Sequence, residues 1–352
     1  MKGLRMPYSE AGASRRILPA ACVGVLALLL AACAAPPPAP QAAGSSPAAR
    51  LAAAESLYPP WQRGANDDAP DKGFDFTVPP IDVLADFHGN PGHPALSLFV
   101  GGNYFFAMAP LVAAFGREHP RYAGRIYYET LPPGVLERQM QNGGTITAGN
   151  MTWKVKADVY LAGLGKVRTV KREGLLTGAI IPYVTNDLTI MIPAGNPGRV
   201  ESLRDLGRPD LAVALSNPEF EGVARQIRAS LVKAGGPALA HTVYDVKVKN
   251  GTTILTRVHH RQTPLFLMQG LVQAGVTWTS EAIFQERIGH AIANIPIPPE
   301  QNTRAIYAAA MAAGAPHPQA AAAWLAFIRS DAAFAIFQRY GFQRYAASSA
   351  GD

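Results

Sequence analysis

Apolar and polar positions along residues 96–342 alternate in a way that predicts strands and helices following one another. Short apolar runs closed by turn-forming residues predict strands at 96–100, 125–128, 157–161, 188–192, 211–215 and 276–278, with two more near Val243 and Ile254. Apolar residues at helical spacing predict helices at 104–118, 135–141, 218–233, 263–275, 318–328 and 332–340. Strand, turn and helix in repeated succession are typical of a mostly parallel sheet with helices on both faces.

The N-terminal region has a different pattern, an unbroken apolar run at 17–32 that follows four basic residues. At about 16 residues this run is shorter than the ~20 that a membrane-spanning helix needs, so it predicts a secretory signal at 1–32. The sequence Leu30-Ala31-Ala32-Cys33 resembles a bacterial lipobox. That resemblance implies cleavage before Cys33, lipid on its thiol and a membrane anchor. The alternative is a leader that is cleaved without lipidation.

The amino-acid composition after the leader predicts two segments before the main body and excludes several kinds of functional site. Residues 33–54 are nearly all Ala, Pro, Ser and Gly and predict a tether, and 55–94 predict an extension lying on the main body. Cys22 lies inside the leader, so removal of the leader leaves no cysteine other than Cys33 for a disulfide, a nucleophile or a metal site. Without residues 1–32 the chain has 28 basic and 24 acidic residues and no long basic run, which argues against nucleic-acid binding.

Three stretches of the chain resemble type II periplasmic solute-binding proteins, most closely the molybdate-binding branch. They are residues 96–120, ending in Phe-Gly-Arg-Glu-His-Pro; 186–206, which looks like a strand crossing between domains; and 318–342, which matches the last two helices. The resemblance implies a two-domain α/β fold with a ligand cleft between the domains and two crossings that act as a hinge. It also implies a monomeric receptor, without a cofactor, that serves an ABC-type permease or a sensor.

The alternation restarts at Leu188, which predicts where the domains divide. We expect residues 95–185 plus 300–346 in the first domain and 186–299 in the second. The chain would cross near 183–187 and again near 294–303, so the two final helices should pack on the first domain. The receptor would face the periplasm. Ala34 stands after Cys33 where many inner-membrane lipoproteins carry aspartate, which favours the outer membrane.

Candidate ligand-binding residues lie in loops that lead from strands into helices. Such loops meet at the carboxyl ends of strands, and helix N-termini suit anions because their N–H groups are unpaired. The candidates are Asn103, Tyr104, Thr130, Ser216, Asn217, His259, His260, Arg261 and Trp278. The His-His-Arg run is the densest group of donors, and Arg261 could grip a carboxylate or oxyanion with two hydrogen bonds. These residues predict a small anionic ligand.

Two departures from the molybdate-binding branch leave the identity of that ligand open. Asn103 stands where the branch carries an oxyanion-binding serine, and we expect it to cap the helix and to donate from its amide. The second turn contains Pro132 and Pro133, which lack N–H groups and so offer fewer donors.

Catalysis has little support in the sequence, because no nucleophile elbow, zinc-binding helix or phosphate loop is present. The alternative to a receptor is a metal-binding lipoprotein or enzyme that uses Glu219, His259 and His260. Glu219 and Glu221 are expected in the first turn of the helix at 218–233, where a carboxylate could face the cleft or simply pair with the helix dipole. A third interpretation is an interaction protein that kept the fold and lost its ligand.

The lipid anchor gives the first testable prediction. Cys33→Ser should yield a protein that is not lipidated and that is missing from the detergent-soluble membrane fraction, since no other cysteine would remain in the mature chain. Metabolic labelling with palmitate followed by fractionation measures this. Continued labelling of the variant would contradict the assignment of Cys33.

Overall fold

A computed structural model describes residues 46–49, 87–148, 151–219, 221–257 and 259–346. The leader, Cys33 and most of the predicted tether and extension lie outside the described residues.

The strands of the described chain form two large sheets and one hairpin. The first sheet has the order β1-β3-β2-β6-β13-β7-β14, with β1 at Phe87–His88, β2 at Leu96–Gly101, β3 at Ile126–Leu131, β6 at Val159–Gly163, β7 at Leu176–Asn186, β13 at Ala305–Ala312 and β14 at Gln343–Arg344. The second has the order β10-β9-β11-β8-β12, with β8 at Leu188–Pro193, β9 at Val213–Leu215, β10 at Thr253–Leu255, β11 at Ala274–Trp278 and β12 at Ile292–Pro296. The hairpin pairs β4 at Thr145–Ala148 with β5 at Met151–Lys154.

Both large sheets combine parallel and antiparallel strand pairs. In the first, β2 runs parallel to β3 and β6, and β13 runs antiparallel to β6 and β7. In the second, β9 runs parallel to β10 and β11, and β8 runs antiparallel to β11 and β12. Every residue of β2, β3 and β9 is buried, as expected for strands that are covered on both faces. The molecule is therefore a two-domain α/β protein of the predicted class.

Eight helices of seven or more residues cover these sheets in the described part of the chain, besides a single turn at Lys247–Lys249. They are α1 at Phe105–Glu118, α2 at Pro133–Gln141, α3 at Leu164–Arg172, α4 at Gly222–His241, α5 at Gln262–Met268, α6 at Thr279–Arg287, α7 at Pro318–Phe327 and α8 at Asp331–Gln338. Helix α8 contacts α1, and α7 contacts β13, so both C-terminal helices pack against the first sheet. The domain bounds given above stay a prediction.

The chain passes between the two sheets twice, and the two crossings are bonded to each other. The first is the single residue Asp187, between β7 and β8, and the second is the segment 297–304, between β12 and β13. Asn302 accepts a hydrogen bond from the Leu188 N–H (3.1 Å) and donates one to the Leu188 carbonyl (2.8 Å). The Arg304 guanidinium makes a two-pronged ion pair with Asp187, at 2.8 and 2.9 Å.

The structure corrects the predicted elements around α4. The predicted strand near Val243 is wrong: the chain continues from α4 into a π-helical turn at Thr242–Val246. This turn buries Val243 and Tyr244 in the core, which explains why the sequence is apolar here without forming a strand. Helix α4 starts at Gly222, not at Pro218, and is broken at Gly235 and Gly236. Gly236 has a φ of 76°, a conformation that favours glycine.

Other predicted bounds differ for local reasons. Helix α5 ends at Met268, well before residue 275, because Gly270 turns the chain with a φ of 67°. That helix also starts at Gln262, one residue before the predicted start. The strands β7, β12 and β13 were not predicted. Their Gly, Ala and Pro residues hide the period of two that marks a strand.

No single helix of the described ranges is long and apolar enough to cross a membrane. The consecutive pair α7 and α8 has the required length and composition together, but it is bent by 61° at the junction. Trp324, Phe327 and Phe337 of this pair are buried in the core.

The core of the first sheet holds a carboxyl group without a basic partner among the described residues. Glu129 on β3 is fully buried and accepts hydrogen bonds from Tyr127 Oη (2.6 Å) and Gln139 Nε2 (3.5 Å). Burial raises the pKa of Glu129 from 4.5 to about 8, against the smaller lowering effect of those two donors. Between pH 4.5 and about 8 the folded chain therefore keeps a proton on Glu129 that the unfolded chain releases.

This proton makes stability depend on pH. Because the folded state binds one proton more than the unfolded state between 4.5 and about 8, stability should fall as pH rises through that window and then level off. In Glu129→Gln the loss of melting temperature between about pH 5 and about pH 8 should be smaller than in wild type. Glu300→Gln, an exposed control, should keep the wild-type slope. Equal slopes in all three proteins would contradict a buried protonated Glu129.

Candidate functional site

A cavity of about 450 Å³ opens where the loops of the two sheets face each other. Asn103, Ala305 and Tyr307 line it from the side of the first sheet. His260 and Trp278 line it from the side of the second sheet, together with Gly222 and Val223 in the first turn of α4. Both walls therefore consist of strand ends and helix starts, as expected for a ligand cleft in an α/β protein.

The cavity brings together four of the nine predicted site residues, Asn103, His259, His260 and Trp278. Tyr104, Thr130 and Ser216 are fully buried behind the walls. Asn217 and Arg261 are half-buried and do not line the cavity either. The ligand-binding roles of all nine residues stay predictions.

Asn103 does not cap a helix, so that expectation is wrong. It lies in a short 3-10 turn, and α1 begins after Tyr104. Its side-chain amide instead donates to Tyr307 Oη at 2.7 Å. Tyr104 turns inward, and its hydroxyl lies 2.7 Å from that of Tyr183. These contacts fix the polar floor of the cavity within the first sheet.

Arg261 spans from the second sheet's side to the first. Its Nε and Nη2 both donate to the Gly102 carbonyl, at 3.2 and 2.5 Å, and its guanidinium lies 3.9 Å from the centre of the Phe105 ring. A Cβ atom on Gly102 would lie 3.0 Å from Nη2, so a larger residue there would make the guanidinium shift by a few tenths of an ångström. In this structure Arg261 bonds the two walls to each other.

A buried cluster forms the second-sheet wall. His260 lies between two carboxylates, with Nδ1 3.4 Å from Glu221 Oε2 and Nε2 3.3 Å from Glu281 Oε2. The rings of His259 and His260 are 3.8 Å apart at their centres. Glu221, His259 and His260 each offer one ligand atom within 4.8 Å of the others, as a metal site requires.

Glu221 is the carboxylate that lies at metal-site spacing from both histidines. The expectation that Glu219 would join the histidines is therefore wrong. Asn217 Oδ1 accepts a hydrogen bond from the Glu219 N–H at 3.0 Å, which forms a turn before α4 and leaves Glu219 exposed. Glu221 follows that turn as the residue before the first turn of α4, and it is buried.

The two histidines have opposite pKa shifts. Burial alone would lower the pKa of His260, but the carboxylates of Glu221 and Glu281 outweigh it and raise the pKa to about 9. Burial lowers the pKa of His259 well below 6.5, and the positive charges of His260 and Arg261 lower it further. At neutral pH His260 is therefore a cation and His259 is a neutral imidazole.

Basic side chains outnumber acidic ones on the cavity walls. Lys166, Arg168, Arg225 and Arg304 line the cavity, with Glu221 as the one carboxylate among the described lining residues. The Lys166 ammonium pairs with Glu137 at 2.5 Å, and Arg304 pairs with Asp187. Arg225 has no partner among the residues that the structure describes. It lies on α4 in a run without a recognisable motif, and sequence reasoning missed it.

Comparison with known proteins identifies the family. A sequence profile described as "Bacterial extracellular solute-binding protein" matches residues 96–343. The chain belongs to this family. Among curated relatives, the molybdate-binding protein ModA of Mycobacterium tuberculosis is 26% identical over 243 residues, which cover 68% of this chain and 83% of ModA. As a solute-binding protein of this family, the chain binds its solute for an ABC transporter outside the cytoplasm and is not an enzyme.

Solved structures of solute-binding proteins share the fold. The sulfate-binding protein SubI of Mycobacterium tuberculosis superposes with a TM-score of 0.59 at 18% identity, covering 73% of this chain and 88% of SubI. The periplasmic molybdate-binding protein of Azotobacter vinelandii gives a TM-score of 0.56 at 15% identity, with 70% and 98% covered. The solute-binding protein described here is therefore of type II, as the sequence predicted.

The contact between the two walls gives a prediction for Arg261. Arg261→Ala removes the charge-assisted bonds to Gly102, so the walls should separate and the distances between them should become longer and broader. Spin labels at Glu118 and Lys249, in the mature Cys33→Ser background, measure this by pulsed electron resonance. Arg204→Ala is the control, because Arg204 is an exposed arginine in the turn that precedes β9. Unchanged distances in Arg261→Ala would show that Arg261 does not hold the walls together.

Proposed function

We propose that this solute-binding protein captures a small anion, an oxyanion or a carboxylate, in the cavity between the two sheets and delivers it to an ABC-type permease. The proposal includes attachment to the periplasmic face of a membrane, with the outer membrane favoured, through a lipid on Cys33. The observation that carries the choice of an anion is the excess of basic side chains on the cavity walls.

The surroundings of the cavity strengthen the effect of these charges. A recess with low-dielectric walls and charges of one sign concentrates ions of the opposite sign. Lys166 and Arg304 are largely neutralised by their carboxylate partners, so they contribute less than their number suggests. Glu221 and Glu281 likewise offset the charge of His260. Arg225 has no such carboxylate partner among the described residues, so its charge remains available to an incoming anion.

The start of α4 adds a second attraction at the same place. Gly222 and Val223 line the cavity, and a helix N-terminus has a partial positive charge and backbone N–H groups that point outward. Arg225 lies one turn further along the same helix. An anion could therefore meet backbone donors and a guanidinium together.

The names of the relatives agree with an anionic ligand without deciding which one. ModA is named for molybdate and SubI for sulfate, both oxyanions. Pro132 precedes α2 and Pro133 begins it; both line the cavity, and neither can donate a backbone hydrogen bond. A carboxylate needs fewer donors than a tetrahedral oxyanion, so both classes belong in the screen.

The deciding experiment compares two arginines of α4. Titration calorimetry of the chelator-treated mature chain against molybdate, sulfate, phosphate and small carboxylates should identify a ligand. Arg225→Gln should then weaken its binding roughly ten- to a hundred-fold, because a charge-assisted contact contributes about 1.5–3 kcal/mol. Arg228→Gln, on the same helix but paired with Asp245 on the surface, should bind like wild type.

Two results would contradict the proposal. One is tight binding of an anion that Arg225→Gln leaves unchanged. The other is a screen in which only cations or uncharged molecules stabilise the protein.

A further inference from the structure

A second site is present in the wall formed by Glu221, His259 and His260, and it does not depend on the anion. We propose that these three side chains hold one divalent first-row transition-metal ion, with Zn²⁺ as the representative. Two imidazoles and a carboxylate suit zinc, nickel or cobalt, whereas magnesium and calcium prefer ligand sets made of oxygen atoms.

The spacing of the ligand atoms leaves room for an ion. All three lie within 4.8 Å of one another, and Glu221 Oε2 is 3.4 Å from His260 Nδ1. In a tetrahedral site with metal–ligand bonds of about 2.0–2.1 Å, neighbouring ligand atoms are roughly 3.4 Å apart. The pair Glu221 and His260 therefore already has the separation that an ion between them would impose.

Hydrogen bonding supports the same conclusion. Glu221 Oε2 is buried and has no hydrogen-bond partner among the described residues, although His260 Nδ1 is its neighbour. The two atoms are close but not aligned as donor and acceptor. Buried polar atoms without a partner are uncommon in native proteins, because each loses its hydration without compensation. An ion bound between these atoms would take the place of the proton on His260 and would bond to both.

The outer contacts of two of the ligands have the arrangement found around metal ions. Histidines that bind metals usually direct their second ring nitrogen at a carboxylate or a carbonyl, which orients the ring. His260 Nε2 lies 3.3 Å from Glu281 Oε2, close enough for the carboxylate to orient the ring, although the two atoms are not aligned as a hydrogen bond. Glu221 is held through its other oxygen, Oε1, which accepts hydrogen bonds from Thr256 Oγ1 and from the Asn217 N–H. Oε2 is left to face the histidines.

The site has an open side. All three ligands line the cavity, so a fourth coordination position would face the space that a solute or a water can enter. Within the described ranges, this is the one set of three such side chains with metal-site spacing. A bound ion would add positive charge to the same wall.

The test uses the mature chain without a polyhistidine tag, stripped of metal by a chelator. Equilibrium dialysis against Zn²⁺, followed by elemental analysis, should give one ion per chain, and dialysis against Mg²⁺ should give none. The buffer contains chloride as its only small anion. Because the anion titrations use metal-free protein, this site and the proposed function can fail separately.

Variants then locate the ion. His260→Gln and Glu221→Gln should abolish stoichiometric binding of Zn²⁺. Thr256→Val, which keeps the shape but removes the hydroxyl that orients Glu221, should weaken binding roughly ten- to a hundred-fold. His241→Gln is the control, since His241 pairs with Asp245 at the exposed surface and is 67% exposed. Circular dichroism of each metal-free variant checks that it folds.

Several outcomes would overturn the proposal. The first is the absence of stoichiometric Zn²⁺ in wild type, which is sufficient alone. Zn²⁺ that is retained in both His260→Gln and Glu221→Gln, or lost in His241→Gln, would place the ion elsewhere. If one ligand variant does not fold, the other and Thr256→Val still decide the result.

Discussion

The bonding between the two crossings determines where both walls of the cavity lie. Asn302 satisfies the N–H and the carbonyl of Leu188 with one side-chain amide, and both residues are buried. The ion pair of Asp187 with Arg304 is partly exposed to solvent, which reduces its contribution to about 0–1 kcal/mol. Removing the amide would leave two buried backbone groups unpaired at about 1–3 kcal/mol each, so Asn302 is the stronger constraint.

That constraint extends to the helix that forms the binding wall. Lys233 donates to the Asn302 carbonyl at 2.5 Å, and the hydroxyls of Ser230 and Thr303 are 3.0 Å apart. Lys233 and Ser230 belong to α4, whose first turn lines the cavity and whose preceding residue is Glu221. The crossings and the candidate binding groups are thus joined through one helix.

The sequence predicted most of the elements but only part of the site, for a physical reason. Strands such as β2 and β8 have continuous apolar runs because both faces are covered, and local patterns reveal that. The prediction of a strand near Val243 was wrong because an apolar residue buried by a helix has the same local pattern as one buried in a strand. His259 and His260 were found because adjacent donors are visible in sequence. Arg225, Glu281 and the pairing of Glu221 with His260 depend on contacts between distant segments, which no local pattern encodes.

The bond from Arg261 to the Gly102 carbonyl has a thermodynamic consequence for any solute. A receptor whose domains swing freely spends part of its binding energy on selecting the one arrangement that holds the ligand, and its apparent affinity falls in proportion to the rarity of that arrangement. Here a guanidinium of the protein itself joins the two domains. Such a bond narrows the range of arrangements that the domains can take, so a solute that fits the joined arrangement spends less of its binding energy on selecting it.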